Sequence, residues 1–273
     1  MKNLFQRTLS GIVYLVLIIG SLFAGRYAYG SVFMLIGILA MLELYSIFNL
    51  EKKGLVTLPG LILTALAFII GFCVSSGLLP AEYAAIALVF GILLLITGLY
   101  VKDSDATKII LPVVTGLVYV ALPFASMNYL VFPQTTGHQY THRIILGIFT
   151  LIWINDTGAY VTGMMIGRHK MFPRISPKKT WEGLAGGTAF TLVASIWMNR
   201  LMGILEPADW IALAIITSIF GVYGDLTESL LKRNAGIKDS GNLIPGHGGI
   251  LDRFDSILFV VPVAVIYLMI RGI

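Results

Sequence analysis

The sequence is poor in charge and in cysteine. Charged residues occupy 12% of its 273 positions, against about 25% in ordinary soluble domains. That is too few to cover the surface of a soluble fold of this length. The single cysteine, Cys73, has no partner in the chain, which excludes a disulfide-stapled secreted domain. Histidine is scarce: His247 has no second histidine at metal-binding spacing, so a zinc site is not expected. There is no G-x-x-x-x-G-K-[ST] loop and no G-x-G-x-x-G after a strand. No internal repeat is visible, so an inverted-repeat transporter gains no support. What the chain does have is apolar residues, at 57%, with a mean hydropathy of +0.88. These figures exclude disorder and leave a polytopic integral membrane protein. The net charge of +5 then reads as basic cytoplasmic loops rather than as a nucleic-acid surface, and no nucleic-acid partner is expected.

A bilayer-crossing helix needs about 20 mostly apolar residues. Such runs fall at Thr8–Gly25, Ala28–Asn49, Leu55–Ser75, Glu82–Val101, Lys108–Val131, Arg143–Met165, Leu184–Met202, Ala208–Tyr223 and Asp255–Arg271. The expected fold is therefore all-α with about nine transmembrane helices. The first run follows Lys2 and Arg7 as a signal peptide would, but it is long and no A-x-A site closes it, so it reads as a retained anchor. With a cytoplasmic N-terminus, all 19 basic residues except Arg26, Arg143, Arg200 and Arg271 lie on the inner side. The positive-inside rule favours that orientation. Residues 1–143 then form about five spans with little chemistry. Residues 144–273 carry two polar loops, 167–183 and 225–254, both expected on the cytoplasmic face.

The second of these loops is the denser. Between Ser229 and Asp255 it holds Lys232, Arg233, Lys238 and Arg253, the carboxylates Asp239, Asp252 and Asp255, and five glycines. Asp252 and Asp255 are three apart at the start of the last run, and Asp225 and Glu228 repeat that spacing before it. Residues three apart share a helix face. Paired carboxylates at a membrane surface suit a hard cation such as Mg²⁺, and the basic residues suit phosphates. Gly246-His247-Gly248-Gly249 allows backbone N–H groups to approach an anion closely. The competing reading is a solvated loop whose charges pair with one another.

The other segment runs Asn155-Asp156-Thr157-Gly158, then Gly163 and Gly167, then Ser176-Pro177-Lys178-Lys179-Thr180-Trp181-Glu182-Gly183. Asp156 lies inside an apolar span, where an unpaired carboxylate is costly. It is expected to face a polar cavity or to pair with a base. Gly163-x-x-x-Gly167 reads as close helix packing. Lys178 and Lys179 read as a phosphate-binding pair or as topogenic charge. Glu43, buried in the second run, has no evident partner.

The segment Ser229–Asp255 resembles the signature of the phosphatidate cytidylyltransferases, also called CDP-diacylglycerol synthases: S-x-L-K-R, four residues, K-D, a spacer, then P-x-H-G-G-x-x-D-R-x-D. Ser229, Leu231, Lys232, Arg233, Lys238, Asp239, Pro245, His247, Gly248, Gly249, Asp252, Arg253 and Asp255 hold the fixed positions. The S-P-K-K-T-W-E-G run at Ser176–Gly183 also resembles that family. Together the motifs cover about the last 120 residues, and the first 140 match only in being helical and apolar.

The resemblance implies a reaction of CTP with phosphatidic acid that gives CDP-diacylglycerol and pyrophosphate in phospholipid biosynthesis. It implies Mg²⁺, with room for a second cation, on Asp225, Asp252 and Asp255. Lys178, Lys179, Lys232, Arg233 and Arg253 would bind phosphates. His247, Gly248 and Gly249 would shape the loop around pyrophosphate, and Asn155 and Asp156 would line a polar pocket. Ser176, Ser229, Lys238 and Asp239 join the expected binding set. CTP is cytosolic and the lipid headgroup sits at the interface, so the site is expected on the cytoplasmic side, at the inner membrane in a bacterium. Small residues let membrane helices associate, and with 29 glycines the chain is compatible with a homodimer. Two other classes stand as alternatives. One is a transporter with Asp156 and Glu43 on an ion path. The other is a different lipid phosphotransferase, though the D-G-x-x-A-R motif of the CDP-alcohol class is missing.

Overall fold

The computed structural model describes residues 2–50, 54–97, 107–244, 246 and 248–273. It is an all-α bundle with one short β-hairpin. The helices are α1 (Lys2–Phe23), α2 (Arg26–Ile47), α3 (Gly54–Ser75), α4 (Ile86–Thr97), α5 (Thr107–Gly116), α6 (Leu122–Val131), α7 (Arg143–Ile166), α8 (Trp181–Met202), α9 (Pro207–Asn234) and α10 (Leu251–Ile270). A π-helical turn, Leu117–Ala121, joins α5 to α6 so that they form one apolar rod. Each of the nine apolar runs lies on a helix, although the end of the fourth falls outside the described residues. Among the described residues, six segments are long and apolar enough to cross a membrane: 26–47, 56–75, 108–136, 143–166, 207–234 and 251–270. Within a bilayer core, backbone groups must pair inside their own segment, which is why apolar runs of this length fold as helices.

The two polar loops are shorter and more ordered than their composition suggests. Within 167–183, β1 (Lys170–Phe172) pairs antiparallel with β2 (Ser176–Thr180), Lys170 facing Thr180 and Phe172 facing Ser176. Thr180 then caps α8, its hydroxyl accepting from the Gly183 N–H at 3.1 Å. Glu182 fastens the hairpin to the helix by accepting from the Arg168 and His169 N–H groups at 3.1 Å, with His169 Nδ1 2.5 Å away. These contacts, that with the His169 ring foremost, hold the Glu182 carboxyl down at about 2.

The expected loop 225–254 is corrected at both ends. α9 continues to Asn234 and α10 begins at Leu251, so the connection spans only 235–250. The apolar run stops at Tyr223, but the helix does not. Leu226 remains buried in a small cluster with Met171 of β1 and Val222, and Glu228 pairs with Lys232 one turn on, at 2.7 Å, a spacing that supports helix.

One continuous core joins the N-terminal helices to the C-terminal ones. Its centre at the site end is Phe254, fully buried on the first turn of α10. The Phe254 ring meets Tyr14 of α1, Phe33 of α2, Phe124 of α6 and Phe149 of α7, with centroids 5.5–6.4 Å away. Aromatic pairs at such separations add to area burial. The helix start that carries Asp252 and Asp255 is thus gripped by rings from four other helices. On its other side, α9 closes against α10 at Gly224, where a Cβ would strike the Asp255 carbonyl oxygen.

Candidate active site

α7, α8, α9 and α10 pack around a group of carboxylates at the end of the bundle that bears the hairpin. Asp225, Glu228 and Asp255 each offer an oxygen within 4.8 Å of the others. Asp225 and Glu228 share a face of α9, and Asp255 projects from the second turn of α10. Glu228 is 1% exposed. Its Oε2 takes the Lys232 ammonium at 2.7 Å, whereas its Oε1 is buried with no hydrogen-bond partner among the described residues. A buried carboxylate oxygen left unpaired is costly. An all-oxygen donor set with one such atom fits a hard divalent cation.

Two cavities meet at this cluster, and Asp156 and Asp225 line both. The first, about 540 Å³, lies between α7, α8 and the hairpin. Lys170, Lys178 and Lys179 line it beside the apolar Ala159, Met164, Met171, Leu184 and Val222. The second, about 290 Å³, is bounded by Tyr14, Trp153, Asp252, Arg253 and Asp255. The two expected loops therefore do converge. Lys179 of β2 reaches Asp225 of α9, Nζ to Oδ2 at 2.6 Å, and Ser229 donates to the other Asp225 oxygen at 3.2 Å.

Four expected residues make contacts other than those expected of them. Asp252 is not in the group of three carboxylates. Its Oδ1 accepts from Lys232 at 2.5 Å, and its Oδ2 accepts the backbone N–H groups of Ser240 at 3.0 Å and Gly249 at 2.7 Å. One oxygen is thus engaged with α9 and the other with the connection. Asn155 does not line either cavity. It is 2% exposed and accepts from Thr191 of α8 at 3.4 Å, because successive helical residues point about 100° apart and only Asp156 turns to the cavities. The Gly249 N–H, expected to approach an anion, already serves Asp252. Lys232, expected to bind phosphate, is 8% exposed and bridges Glu228 and Asp252.

The remaining expected residues lie around the rim. Lys178 is exposed over the first cavity, and Arg253 is exposed on the second. Arg233 is exposed and donates to the Ile237 carbonyl at 3.2 Å, closing the end of α9. Lys238 and Asp239 are exposed, and Ser176 is half-buried at the start of β2. Gly248 turns the chain with φ +82°, a conformation natural only to glycine. His247 and Pro245 lie outside the described residues. The sequence reading passed over Glu228 as a ligand, although its spacing from Asp225 was visible. It also passed over Lys170 and Tyr14, which neither motif includes.

Comparison with known proteins bears on this arrangement. The model of the cytidylyltransferase family matches residues 5–271. The chain belongs to the cytidylyltransferase family. Among its relatives is a protein of Bacillus subtilis, 36% identical over 276 residues and covering 96% of both chains. Another, from Staphylococcus epidermidis, is 35% identical over 268 residues, covering 96% of this chain and 98% of its own. A third, from Staphylococcus haemolyticus, is 37% identical over 273 residues with the same coverage. All three bear the name phosphatidate cytidylyltransferase. The match to the cytidylyltransferase family takes in the N-terminal helices as well as the two motifs.

Proposed function

We propose that the chain transfers the cytidylyl group of CTP to phosphatidic acid, giving CDP-diacylglycerol and pyrophosphate. The observation that carries this reading is the carboxylate group Asp225, Glu228 and Asp255, with a buried Glu228 oxygen unpaired among the described residues, beside a lysine-fringed cavity and an acidic one. The names borne by the relatives point the same way. In the reaction, a phosphate oxygen of phosphatidic acid attacks the α-phosphorus of CTP. The bond from that phosphorus to the β-phosphate bridging oxygen breaks, and pyrophosphate leaves. The attacking monoester is largely ionised at neutral pH, its second pKa being about 6, so no strong base is required. What the site must do is bring two anions together in line. Mg²⁺ held by Asp225, Glu228 and Asp255, with room for a second cation near Asp156, would neutralise phosphate charge and polarise the reacting phosphoryl group.

The chain's own cations complete the neutralisation. Lys170, Lys178 and Lys179 border the larger cavity, whose apolar wall suits the glycerol and first methylenes of a lipid. Arg253 borders the smaller one, which suits the nucleotide. In this reading residues 144–273 carry the chemistry and residues 1–143 support it. The test is the fate of the α-phosphate of labelled CTP given to the purified protein in mixed micelles. Label is expected in extractable lipid only when phosphatidic acid is present, and its absence from lipid under those conditions would refute the proposal.

The same reading assigns roles to the two ends of the molecule. Nine spans with a cytoplasmic N-terminus put the hairpin and the 235–250 connection in the cytoplasm, at the inner membrane of a bacterium, in keeping with the charge asymmetry. Cysteines placed at Ser176 and at the exposed Asn242, in a Cys73→Ala background, are expected to react with an impermeant thiol reagent only after the inner face is opened. Reaction from outside intact cells would reverse the orientation. Exposed apolar residues on α8, among them Phe190, Val193 and Trp197, suit lipid or a second copy of the chain. A homodimer in detergent is the expectation, and light scattering at monomer mass would dismiss it.

Lys179 separates the substrates. Lys179→Ala removes a cation from the larger cavity and is expected to raise the KM for phosphatidic acid more than that for CTP, because loss of a ground-state contact appears mainly in KM. A shift confined to the CTP constant would assign that cavity to the nucleotide.

A further inference from the structure

Glu43 of α2 is a charged residue deep in the N-terminal half, and it is 6% exposed. It has no basic partner among the described residues' ion pairs. Instead its carboxylate is filled by donors from the far end of the chain. Oε2 accepts the Ser240 hydroxyl and the Leu251 N–H, both at 2.9 Å, and Oε1 accepts the Ile250 N–H at 2.9 Å. Ile250 and Leu251 open α10, where backbone N–H groups lack intrahelical partners and a negative charge is favoured. The partners are more than 190 positions apart in sequence.

We infer that Glu43 is a positioning residue for the reaction, clamping the 240–251 connection and thereby setting the turn of α10 that presents Asp252 and Asp255. The inference rests on the reading given under Proposed function. Glu43 does not act alone. Asp252 accepts the N–H groups of Ser240 and Gly249, so the two carboxylates grip the same two ends of the connection from opposite sides. Ser240 is held by both, through its hydroxyl and its N–H. Three consecutive N–H groups, Gly249, Ile250 and Leu251, are taken in turn by Asp252, Glu43 and Glu43.

The fit is close enough to dictate residue types. A Cβ on Gly249 would strike the Ser240 hydroxyl and the Glu43 carboxylate, and a Cβ on Gly241 would lie 2.5 Å from Glu43 Oε1. Only glycine lets the connection approach the carboxylate from both sides. Asp255 is four residues beyond Leu251 and one turn along the same helix. A rotation of that first turn would therefore carry the Asp255 oxygen away from Asp225 and Glu228. Displacements of about 1 Å in a supporting group can cost on the order of 10²-fold in rate. The N-terminal half, which carries neither motif, thus bears on the acidic cluster through the Glu43 carboxylate as well as through the rings around Phe254.

The test compares wild type with Glu43→Gln, purified in detergent, by hydrogen–deuterium exchange and by steady-state kinetics. An amide at this position must turn one donor toward a donor. Exchange is expected to rise by roughly tenfold or more in peptides covering 240–252, with the other segments unchanged. kcat should fall on the order of 10²-fold while the KM for phosphatidic acid stays near wild type. Ser240→Ala, which removes one of the three bonds, should show the same pattern to a lesser degree, and it serves if Glu43→Gln does not fold. Wild-type kinetics in both variants would overturn the inference, whatever their exchange. So would exchange that rises throughout the chain as activity falls, since Glu43 would then hold the fold rather than the site. A wild-type protein that places no CTP label in lipid would instead defeat the proposed reaction, while the local exchange still reports on the clamp.

Discussion

Asp255→Asn is expected to reduce turnover on the order of 10²-fold or more while the protein still inserts and folds. Asp255 is one of the three carboxylates that share a space 4.8 Å across, and its Oδ1 also accepts the Ser256 N–H at 2.6 Å. The amide keeps the size of the side chain but removes its charge, and with it one hard ligand. Glu228→Gln should behave alike, because Glu228 contributes the unpaired oxygen. Asp252→Asn is expected to fall as far by a different route. Its carboxylate holds Lys232 and two backbone N–H groups, so the loss is of loop position. Raising Mg²⁺ should recover part of the activity of Asp255→Asn and none of that of Asp252→Asn. Assays over a range of Mg²⁺ check this. Wild-type activity of Asp255→Asn at limiting Mg²⁺ would remove that residue from the cation site.

The second large effect is on stability. Lys232 Nζ lies 2.7 Å from Glu228 and 2.5 Å from Asp252, and the three side chains are at most 10% exposed. Replacing a buried ion pair by apolar groups can be neutral, but removing one partner leaves uncompensated charge and costs about 3–5 kcal/mol. Lys232→Met leaves two buried carboxylates facing each other and should lose that much, measured by thermal or denaturant unfolding in detergent. The double variant Lys232→Met/Glu228→Gln should recover a large part of the stability and none of the activity. Lys232→Met with wild-type stability would mean that the triad is not formed. Recovery of activity in the double variant would exclude Glu228 from the chemistry.

The helices were legible in the sequence because membrane helices are written as apolar runs of fixed length, and among the described residues the nine runs fall on helices, six of them long and apolar enough to cross a membrane. Their polar extensions were not. α9 runs eleven residues past Tyr223 to Asn234, and the signal there is a weaker one: Leu226 on the buried face and the Glu228–Lys232 spacing. Where chemistry and local spacing coincide, as at Asp225, Asp255 and Lys179, the side chains expected to act together do lie together. Where the two separate, the contacts differ from those the spacing suggests. Asp252 has the spacing of a ligand, yet one of its oxygens takes Lys232 of α9 and the other the backbone of the connection. Asn155 adjoins Asp156 in sequence but faces α8. Glu43 could not be interpreted from its surroundings in sequence, because its hydrogen-bond partners among the described residues all lie in the 240–251 segment. Long-range pairing leaves no local periodicity to read.

The central claim is that the carboxylate cluster between the two cavities serves transfer of a cytidylyl group to a lipid phosphate. Parallel reactions with CTP labelled at the α- or the γ-phosphate test it most directly, each with phosphatidic acid and Mg²⁺ in mixed micelles. The account predicts α-label in extractable lipid, γ-label in pyrophosphate, and neither product from Asp255→Asn. Label from the γ-phosphate in lipid would make the protein a lipid kinase, and full incorporation of α-label by Asp255→Asn would place the chemistry elsewhere; either result would contradict the account.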